Sequence, residues 1–152
     1  MIKLVRTSSD NTHFIHLVRM LDAELAERDG KDHSFYAQYN KIDNIRHAAV
    51  CYFDEEPVAC GALKPISSDS MEVKRMYTIP AKRNSGIGTL VLNELEKWAE
   101  ELSFQKCILE TGKRQPDAIQ LYTRNGYVVI PNYGQYTGVE NSVCFGKTLS
   151  KA

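Results

Sequence analysis

The sequence has no excess of positive or negative charge, and it has no long apolar run. Its 152 residues carry 19 Lys and Arg against 19 Asp and Glu, so the formal net charge is zero. This balance argues against nonspecific binding to nucleic acid or to an anionic membrane. No apolar stretch approaches the roughly 20 residues of a membrane-spanning helix, and residues 1–10 lack the apolar core of a secretory signal. We therefore expect a cytoplasmic protein with neither a nucleic-acid nor a membrane partner.

Cysteine is also sparse, and none of the four cysteines belongs to a CxxC pair. Cys51, Cys60, Cys107 and Cys144 each lie in an apolar, strand-like run. Such cysteines are typical of reduced core thiols, not of a disulfide framework or a zinc site. Because no other cluster of metal-ligating side chains is evident, we expect no metal.

Apolar periodicity and turn residues divide the chain into alternating strands and helices. Serine and aspartate side chains at 8–10 are predicted to cap the first helix, which Gly30 ends. The element order predicts a single α+β domain over residues 1–152, with one mixed, mostly antiparallel sheet flanked by helices. Strands are predicted at 2–6, 47–53, 57–66, 71–79, 106–111, 127–131 and 142–149, and two further helices after Gly86 and at 116–125.

Residues 83–100, RNSGIGTLVLNELEKWAE, place two glycines at the mouth of an amphipathic helix. A helix N-terminus presents unpaired N–H groups and the positive end of the dipole. Gly86 and Gly88 would let an anion approach this backbone, and Arg83 adds a cation. A turn that only redirects the chain would use the same glycines. A dinucleotide fingerprint would need glycine at Val91, and a P-loop would need lysine after Gly88, so both motifs are absent.

The segment Arg83-Asn84-Ser85-Gly86-Ile87-Gly88 resembles the Arg/Gln-x-x-Gly-x-Gly/Ala coenzyme A loop of the GNAT superfamily of acyl-CoA N-acyltransferases. Leu121-Tyr122-x-x-x-Gly126-Tyr127 is similar to the family's Leu-Tyr-x-x-x-Gly-Phe/Tyr, and the element order matches over essentially the whole chain. The resemblance implies the GNAT fold, whose splayed central strands bind coenzyme A, and acetyl-CoA as co-substrate. The implied coenzyme contacts are Met76, Tyr77, Thr78, Arg83, Asn84, Ser85, Gly86, Ile87, Gly88, Thr89, Gln115 and Tyr122.

The strand MEVKRMYTI, residues 71–79, carries charges where a central strand is usually apolar on at least one face. Side chains alternate across a sheet, so the adjacent Lys74 and Arg75 cannot both point outward from a regular strand. Either a β-bulge intervenes or one of them lines a cleft. The family resemblance favours a bulge, with a strand N–H near Met76 polarising the thioester oxygen.

Two side chains are candidates for proton transfer. Glu72 lies eleven residues before Arg83, a position that holds the general base in several family members. A salt bridge from Glu72 to Lys74 or Arg75 is the structural alternative. Tyr122 resembles the family's general acid, which protonates the departing coenzyme thiolate, whereas most helical tyrosines simply pack in a core.

The resemblance places the acceptor site between the first helices and the loop joining the last two strands. Those segments, 32–40 and 131–141, are rich in Tyr, Gln, Asn and His, which suit a small polar ligand but also cover the edges of cores. One departure concerns the pantetheine: where the family often has asparagine, this chain has Gln115, whose amide has a different reach. The candidates for acceptor contact are His33, Tyr39, Glu72, Tyr133 and Tyr136.

The function predicted from these features is N-acetyl transfer from acetyl-CoA to a primary amine of a small polar acceptor, directly within a ternary complex. The alternative is a catalytically silent acyl-CoA sensor, which would need neither Tyr122 nor Glu72. The failed dinucleotide fingerprint disfavours a nucleotide-binding oxidoreductase. Members of the family are often dimers, so the resemblance allows a homodimer, although the sequence shows no interface.

Overall fold

The computed structural model describes residues 1–30 and 45–149. The helices in this part of the chain are α1 (Thr12–Asp29), α2 (Ile87–Glu101) and α3 (Pro116–Arg124). The strands are β1 (Ile2–Thr7), β2 (His47–Phe53), β3 (Glu56–Pro65), β4 (Ser70–Thr78), β5 (Lys106–Gly112), β6 (Val128–Ile130) and β7 (Ser142–Thr148). Short 3-10 turns occupy Pro80–Lys82 and Gly134–Tyr136.

The seven described strands form one sheet in the order β1-β2-β3-β4-β5-β7-β6. Neighbouring strands are antiparallel except β4 and β5, which are parallel. The predicted mixed, mostly antiparallel sheet is therefore confirmed, and β2, β3 and β4 form an antiparallel meander within it. Within the described residues, no helix combines the length and apolar character needed to cross a bilayer.

Helices α1 and α2 cover opposite faces of this sheet. Alternation along β2 decides the faces: Ala48 and Val50 pack with α1, whereas Ala49 and Cys51 pack with α2. The buried stripe of α1 consists of Phe14, Leu17, Val18 and Leu21. The stripe of α2 consists of Ile87, Val91, Leu92, Leu95 and Ala99. The four cysteines are free and buried, as predicted.

The N-cap of α1 differs from the prediction. Asn11, not a residue of 8–10, caps the helix, because its Oδ1 accepts a hydrogen bond from the Phe14 N–H at 2.9 Å. The preceding Ser9 N–H is bonded instead to the Ile45 carbonyl at 2.9 Å. This bond ties the segment before the helix to the rest of the fold, and the helix starts after it.

Strand β4 carries the predicted bulge, and this bulge opens the sheet. Arg75 and Met76 together lie opposite the single residue Gly61 of β3, and Arg75 has a φ of 60°. Pairing between β4 and β5 extends only over Ser70–Glu72 and Lys106–Ile108. The two central strands then diverge, which leaves a cleft between them.

We predict that Gly61→Ala destabilises the protein by about 1–3 kcal/mol, because the added methyl group overpacks a site whose neighbours Leu95 and Val91 are fully buried. A Cβ at Gly61 would lie 2.5 Å from the Met76 Sδ and 2.8 Å from the Leu95 Cδ1. Urea denaturation monitored by circular dichroism measures the change.

Gly88→Ala is the matched control for this substitution. A Cβ at Gly88 would meet Leu121 at 3.5 Å, an ordinary contact, and alanine is the better helix former. We expect the free energy of unfolding of this variant to equal or exceed that of the wild type. Equal stability of the Gly61 and Gly88 variants would contradict tight packing behind the bulge.

Candidate active site

A cleft with a volume of about 250 Å³ lies where β4 and β5 diverge. Its walls come from the bulged part of β4, the mouth of α2, the end of β5, and faces of α1 and α3. Ser85 and Ile87 are not among the lining residues: Ile87 is buried in the core, and the Ser85 hydroxyl donates to the Lys82 carbonyl. The predicted site residues that do line the cleft are Glu72, Met76, Tyr77, Thr78, Arg83, Asn84, Gly86, Gly88, Thr89, Gln115, Tyr122 and Tyr136.

The mouth of α2 is open, as the two glycines suggested. Gly86 is the N-cap with a φ of 85°, and a Cβ built there would meet nothing within 4 Å. The preceding Asn84 also has a positive φ, 62°. Successive backbone N–H groups at a helix start form a concave site for an anion, and the open space at Gly86 leaves room for one. The residues present therefore fit a phosphate group.

Arg83 is held by two other elements of the cleft wall. Its Nε donates to the Thr78 carbonyl at 2.8 Å, and its Nη2 donates to Glu24 Oε1 at 2.8 Å. The guanidinium thus ties the loop to β4 and to α1, and Glu24 compensates part of its charge. Sequence reasoning assigned Arg83 only as a nearby cation and missed Glu24, whose distance of 59 positions along the chain gives no local signal.

Gln115 precedes α3 and is buried. Its Oε1 accepts a hydrogen bond from Arg28 Nη1 of α1 at 2.8 Å. Its Nε2 is buried without a hydrogen-bond partner among residues 1–30 and 45–149. A buried amide donor of this kind is expected to bind a ligand, since leaving it unpaired costs free energy. The side chain thus fits the amide contact that was predicted for it.

Tyr122 projects from α3 into the cleft wall and is 6% exposed. Its ring packs edge-on against Tyr127, with centroids 5.7 Å apart. Burial, and secondarily the charge of Glu110, raises the pKa of its phenol above the ordinary value. Tyr122 is therefore protonated at neutral pH, the state that a proton donor requires.

Glu72 is buried in β4 and has two partners. Its Oε2 accepts a hydrogen bond from the Tyr133 hydroxyl at 2.6 Å, and its Oε1 lies 3.6 Å from Lys74 Nζ. Burial lowers the pKa of Lys74, and Glu72 opposes this shift. The ion pair that was one alternative for Glu72 exists, and the same carboxylate lines the cleft. The partner of Arg75, by contrast, is Asp22 of α1.

The acceptor candidates are distributed unevenly around the cleft. Tyr136 is buried and lines it, whereas Tyr133 reaches it through the bond to Glu72. His33 and Tyr39 lie outside the described residues.

Sequence reasoning missed Glu110, which lines the cleft near the end of β5 and accepts a hydrogen bond from the Ser142 hydroxyl at 2.7 Å. Its signal was available, because a carboxylate in an apolar strand is as unusual at Glu110 as at Glu72.

Comparison with known proteins identifies the family. The model of the acetyltransferase (GNAT) family matches residues 14–127. The chain belongs to the GNAT acetyltransferase family. The GNAT resemblance of the sequence is thus confirmed, and membership makes the chain an acyltransferase.

Individual GNAT proteins match most or nearly all of this chain. The uncharacterized N-acetyltransferase YjgM of Escherichia coli strain K12 is 30% identical over 131 residues, 80% of this chain and 78% of that protein. A crystal structure from Klebsiella pneumoniae, assigned as an acyl-CoA N-acyltransferase, superposes with a TM-score of 0.83 at 28% identity over 99% of each chain. A GNAT acetyltransferase from Elizabethkingia anophelis with acetyl-CoA bound superposes with a TM-score of 0.68 at 15% identity, over 97% of this chain and 98% of that one.

We predict that Tyr133→Phe destabilises the protein by about 1–2 kcal/mol, because the buried Glu72 carboxylate loses the hydrogen bond that the Tyr133 hydroxyl donates to it. Tyr52→Phe is the matched control: its hydroxyl bonds His13 at 2.7 Å in an exposed position, where water replaces the lost partner. Thermal or urea unfolding of both variants measures the difference. A Tyr133 variant no less stable than the Tyr52 variant would contradict a stabilising role for the bond to Glu72.

Proposed function

We propose that this protein is an acetyl-CoA-dependent N-acetyltransferase that acts on a primary amine of a small polar acceptor by direct transfer in a ternary complex. One observation carries the proposal: a single cleft brings together the open mouth of α2, the diverging edge of β4, Tyr122 and Glu72. All described strands belong to one sheet, which supports treating residues 1–152 as one catalytic domain.

The proposed coenzyme contacts use two backbone segments of the cleft, the start of α2 and the edge of β4. In the proposal, N–H groups between Asn84 and Thr89 hold the pyrophosphate at the helix start. Beyond Glu72, β4 no longer pairs with β5, and in the proposal the backbone at 76–78 pairs there with the pantetheine amides. The buried Gln115 Nε2 supplies a further donor. The acetyl-CoA bound to the GNAT protein of Elizabethkingia anophelis supports this choice of co-substrate.

The proposed chemistry needs one base, one oxyanion donor and one acid. Glu72, directly or through water, takes a proton from the acceptor ammonium, and the amine nitrogen then attacks the thioester carbon. A β4 N–H near Met76 donates to the oxygen that becomes negative. The carbon–sulfur bond breaks as the amide forms: the attacking nitrogen gives its second surplus proton to solvent, and Tyr122 gives its proton to the leaving thiolate. Solvent then restores the proton of Tyr122 and takes the proton held by Glu72.

A covalent acyl-enzyme is not part of this proposal, because the cysteines are poor nucleophiles. All four are buried, and burial raises the pKa of Cys60 and of Cys107 to about 12. The thiolate forms that would attack an acyl group are therefore scarce at neutral pH. Direct transfer between the two bound substrates remains as the route.

We predict that Tyr122→Phe lowers kcat by about 10²–10⁴-fold, the usual contribution of a positioned acid, with little change in the Kd for acetyl-CoA. The assay follows coenzyme thiol release across a panel of small amines and amino acids. Tyr52→Phe, outside the cleft, is expected to keep wild-type turnover. A Tyr122 variant with unchanged kcat would remove this residue as the acid, and no acceleration by any acceptor would count against the enzymatic proposal as a whole.

We predict that Gly86→Glu abolishes binding of acetyl-CoA, because a carboxylate would enter the space proposed for the pyrophosphate. Gly86→Gln is the matched control, since it adds the same bulk and the same backbone strain at a φ of 85° without the charge. Calorimetric titration with acetyl-CoA should give a weaker Kd for the Gln variant and no binding for the Glu variant. Normal affinity of the Glu variant would place the phosphates elsewhere.

A further inference from the structure

Arg75 is a buried cation in the cleft wall, at the bulge of β4. Its side chain is 1% exposed, and the residue lines the cleft. Its Nη1 donates to Asp22 Oδ1 at 3.0 Å. Its Nε and Nη2 are both buried, and neither has a hydrogen-bond partner within residues 1–30 and 45–149. Since an unpaired buried donor on a charged group is costly, these two atoms indicate that a ligand completes the site.

The two unpaired atoms define the shape of that ligand. Nε and Nη2 form one edge of the planar guanidinium, and such an edge makes two parallel hydrogen bonds to a carboxylate. Arg83, in the same cleft, shows the contrast, because its Nε and Nη2 are already bonded to Thr78 and Glu24. Of these two guanidinium groups, only that of Arg75 offers a free edge to an anion.

Groups of the opposite sign line the same cleft. Glu72 and Glu110 both contribute to its wall, and Tyr136 lies beside them. Burial raises the pKa of Tyr136, and the charges of Glu110 and Glu72 add to this rise. Tyr136 is in turn one of the groups that oppose the lowering of the Arg75 pKa by burial. Glu72, Glu110, Tyr136 and Arg75 thus all line one cleft. A cleft region with both signs of charge suits a ligand that is itself a zwitterion.

We propose that the acceptor is an amino acid, that is, a small molecule carrying both the reacting amine and a carboxylate, and that Arg75 binds the carboxylate through Nε and Nη2. This inference rests on the proposed function, because it names the class of amine that is acetylated. Glu72 and Arg75 are three residues apart on β4, a span of about 10 Å at most in an extended strand. With long side chains at both ends, α-, β- and γ-amino acids all fall within reach.

The first experiment compares acceptors on the wild-type protein. Glycine, β-alanine, γ-aminobutyrate and larger L-amino acids are tested beside the amide of each, and coenzyme thiol release gives kcat/KM. Values are compared per concentration of free amine, because an amide lowers the basicity of a nearby amino group. A bidentate charged contact predicts that at least one amino acid exceeds its own amide by about 10- to 100-fold.

The second experiment substitutes the guanidinium. Arg75→Met removes the charge at similar length, and Arg75→Lys keeps the charge but removes the two-pronged edge. Both are expected to raise the KM of the preferred amino acid by tenfold or more, to leave its amide nearly unaffected, and to bind acetyl-CoA with wild-type affinity. The Lys variant serves if the Met variant fails to fold. Arg19→Met, at an exposed position of α1, is the control for loss of an arginine.

The outcomes separate this inference from the proposed function. If amides and simple amines are acetylated as well as the amino acids, or if Arg75 variants change KM for acid and amide alike, the carboxylate contact is overturned while the acetyltransferase stands. If no amine accelerates thiol release, the proposed function fails. Calorimetric titration of the amino acids onto coenzyme-loaded protein then decides the subsite, since absence of Arg75-dependent binding overturns it.

Discussion

The divergence of β4 from β5 is the constraint on which the cleft depends. It follows from one extra residue in β4, which places Arg75 and Met76 opposite Gly61 and puts Arg75 at a positive φ. A regular strand would continue the parallel ladder past Glu72 and close the sheet. Glycine at position 61 is required here, because Met76 and Leu95 occupy the space that a Cβ would need. The bulge therefore joins a packing requirement of the core to the opening of the site.

Helix α1 fixes the other side of this opening through three polar contacts. Its Asp22, Glu24 and Arg28 bind, respectively, the bulge arginine, the arginine of the α2 loop and the glutamine before α3. Each partly exposed ion pair contributes little stability by itself. Together they set the positions of three cleft walls relative to one helix. Helix α1 therefore holds the bulge of β4, the α2 loop and the start of α3 in place, in addition to covering one face of the sheet.

The charges around the cleft are unusual for the centre of a sheet, and the proposed chemistry gives a reason for them. Glu72 is buried with a phenol and an ammonium as partners, and Arg75 is buried with two of its three guanidinium nitrogens unpaired within residues 1–30 and 45–149. Buried charged groups of this kind do not maximise stability, since desolvation offsets most of the attraction. They fit a site that moves a proton and holds a polar acceptor. The neutral net charge of the chain hides this local concentration.

The sequence by itself determined the family, the order of the elements and the loop at the mouth of α2. Local physics suffices for these: apolar periodicity marks each element, and the paired glycines and the Leu-Tyr motif carry the resemblance. The adjacent Lys74 and Arg75 predicted either a bulge or a side chain lining a cleft, because alternation in a strand forbids both from facing outward, and the family resemblance favoured the bulge. The predicted N-cap of α1 was wrong, because the hydrogen bond from the Ser9 N–H to the distant Ile45 carbonyl holds the segment before the helix.

Only the tertiary structure decided which polar side chains meet. Glu24 and Arg83 are 59 positions apart, Arg28 and Gln115 are 87 apart, and Tyr133 and Glu72 are 61 apart. Such pairs leave no periodic or local pattern, because they form only when the sheet and helices bring remote segments together. The unpaired donors of Arg75 and Gln115 could not be predicted for the same reason, because a donor's partners depend on which remote segments pack around it. For that reason the fold could be predicted from the sequence, whereas the hydrogen-bond partners of the Arg75 and Arg83 guanidinium groups could not.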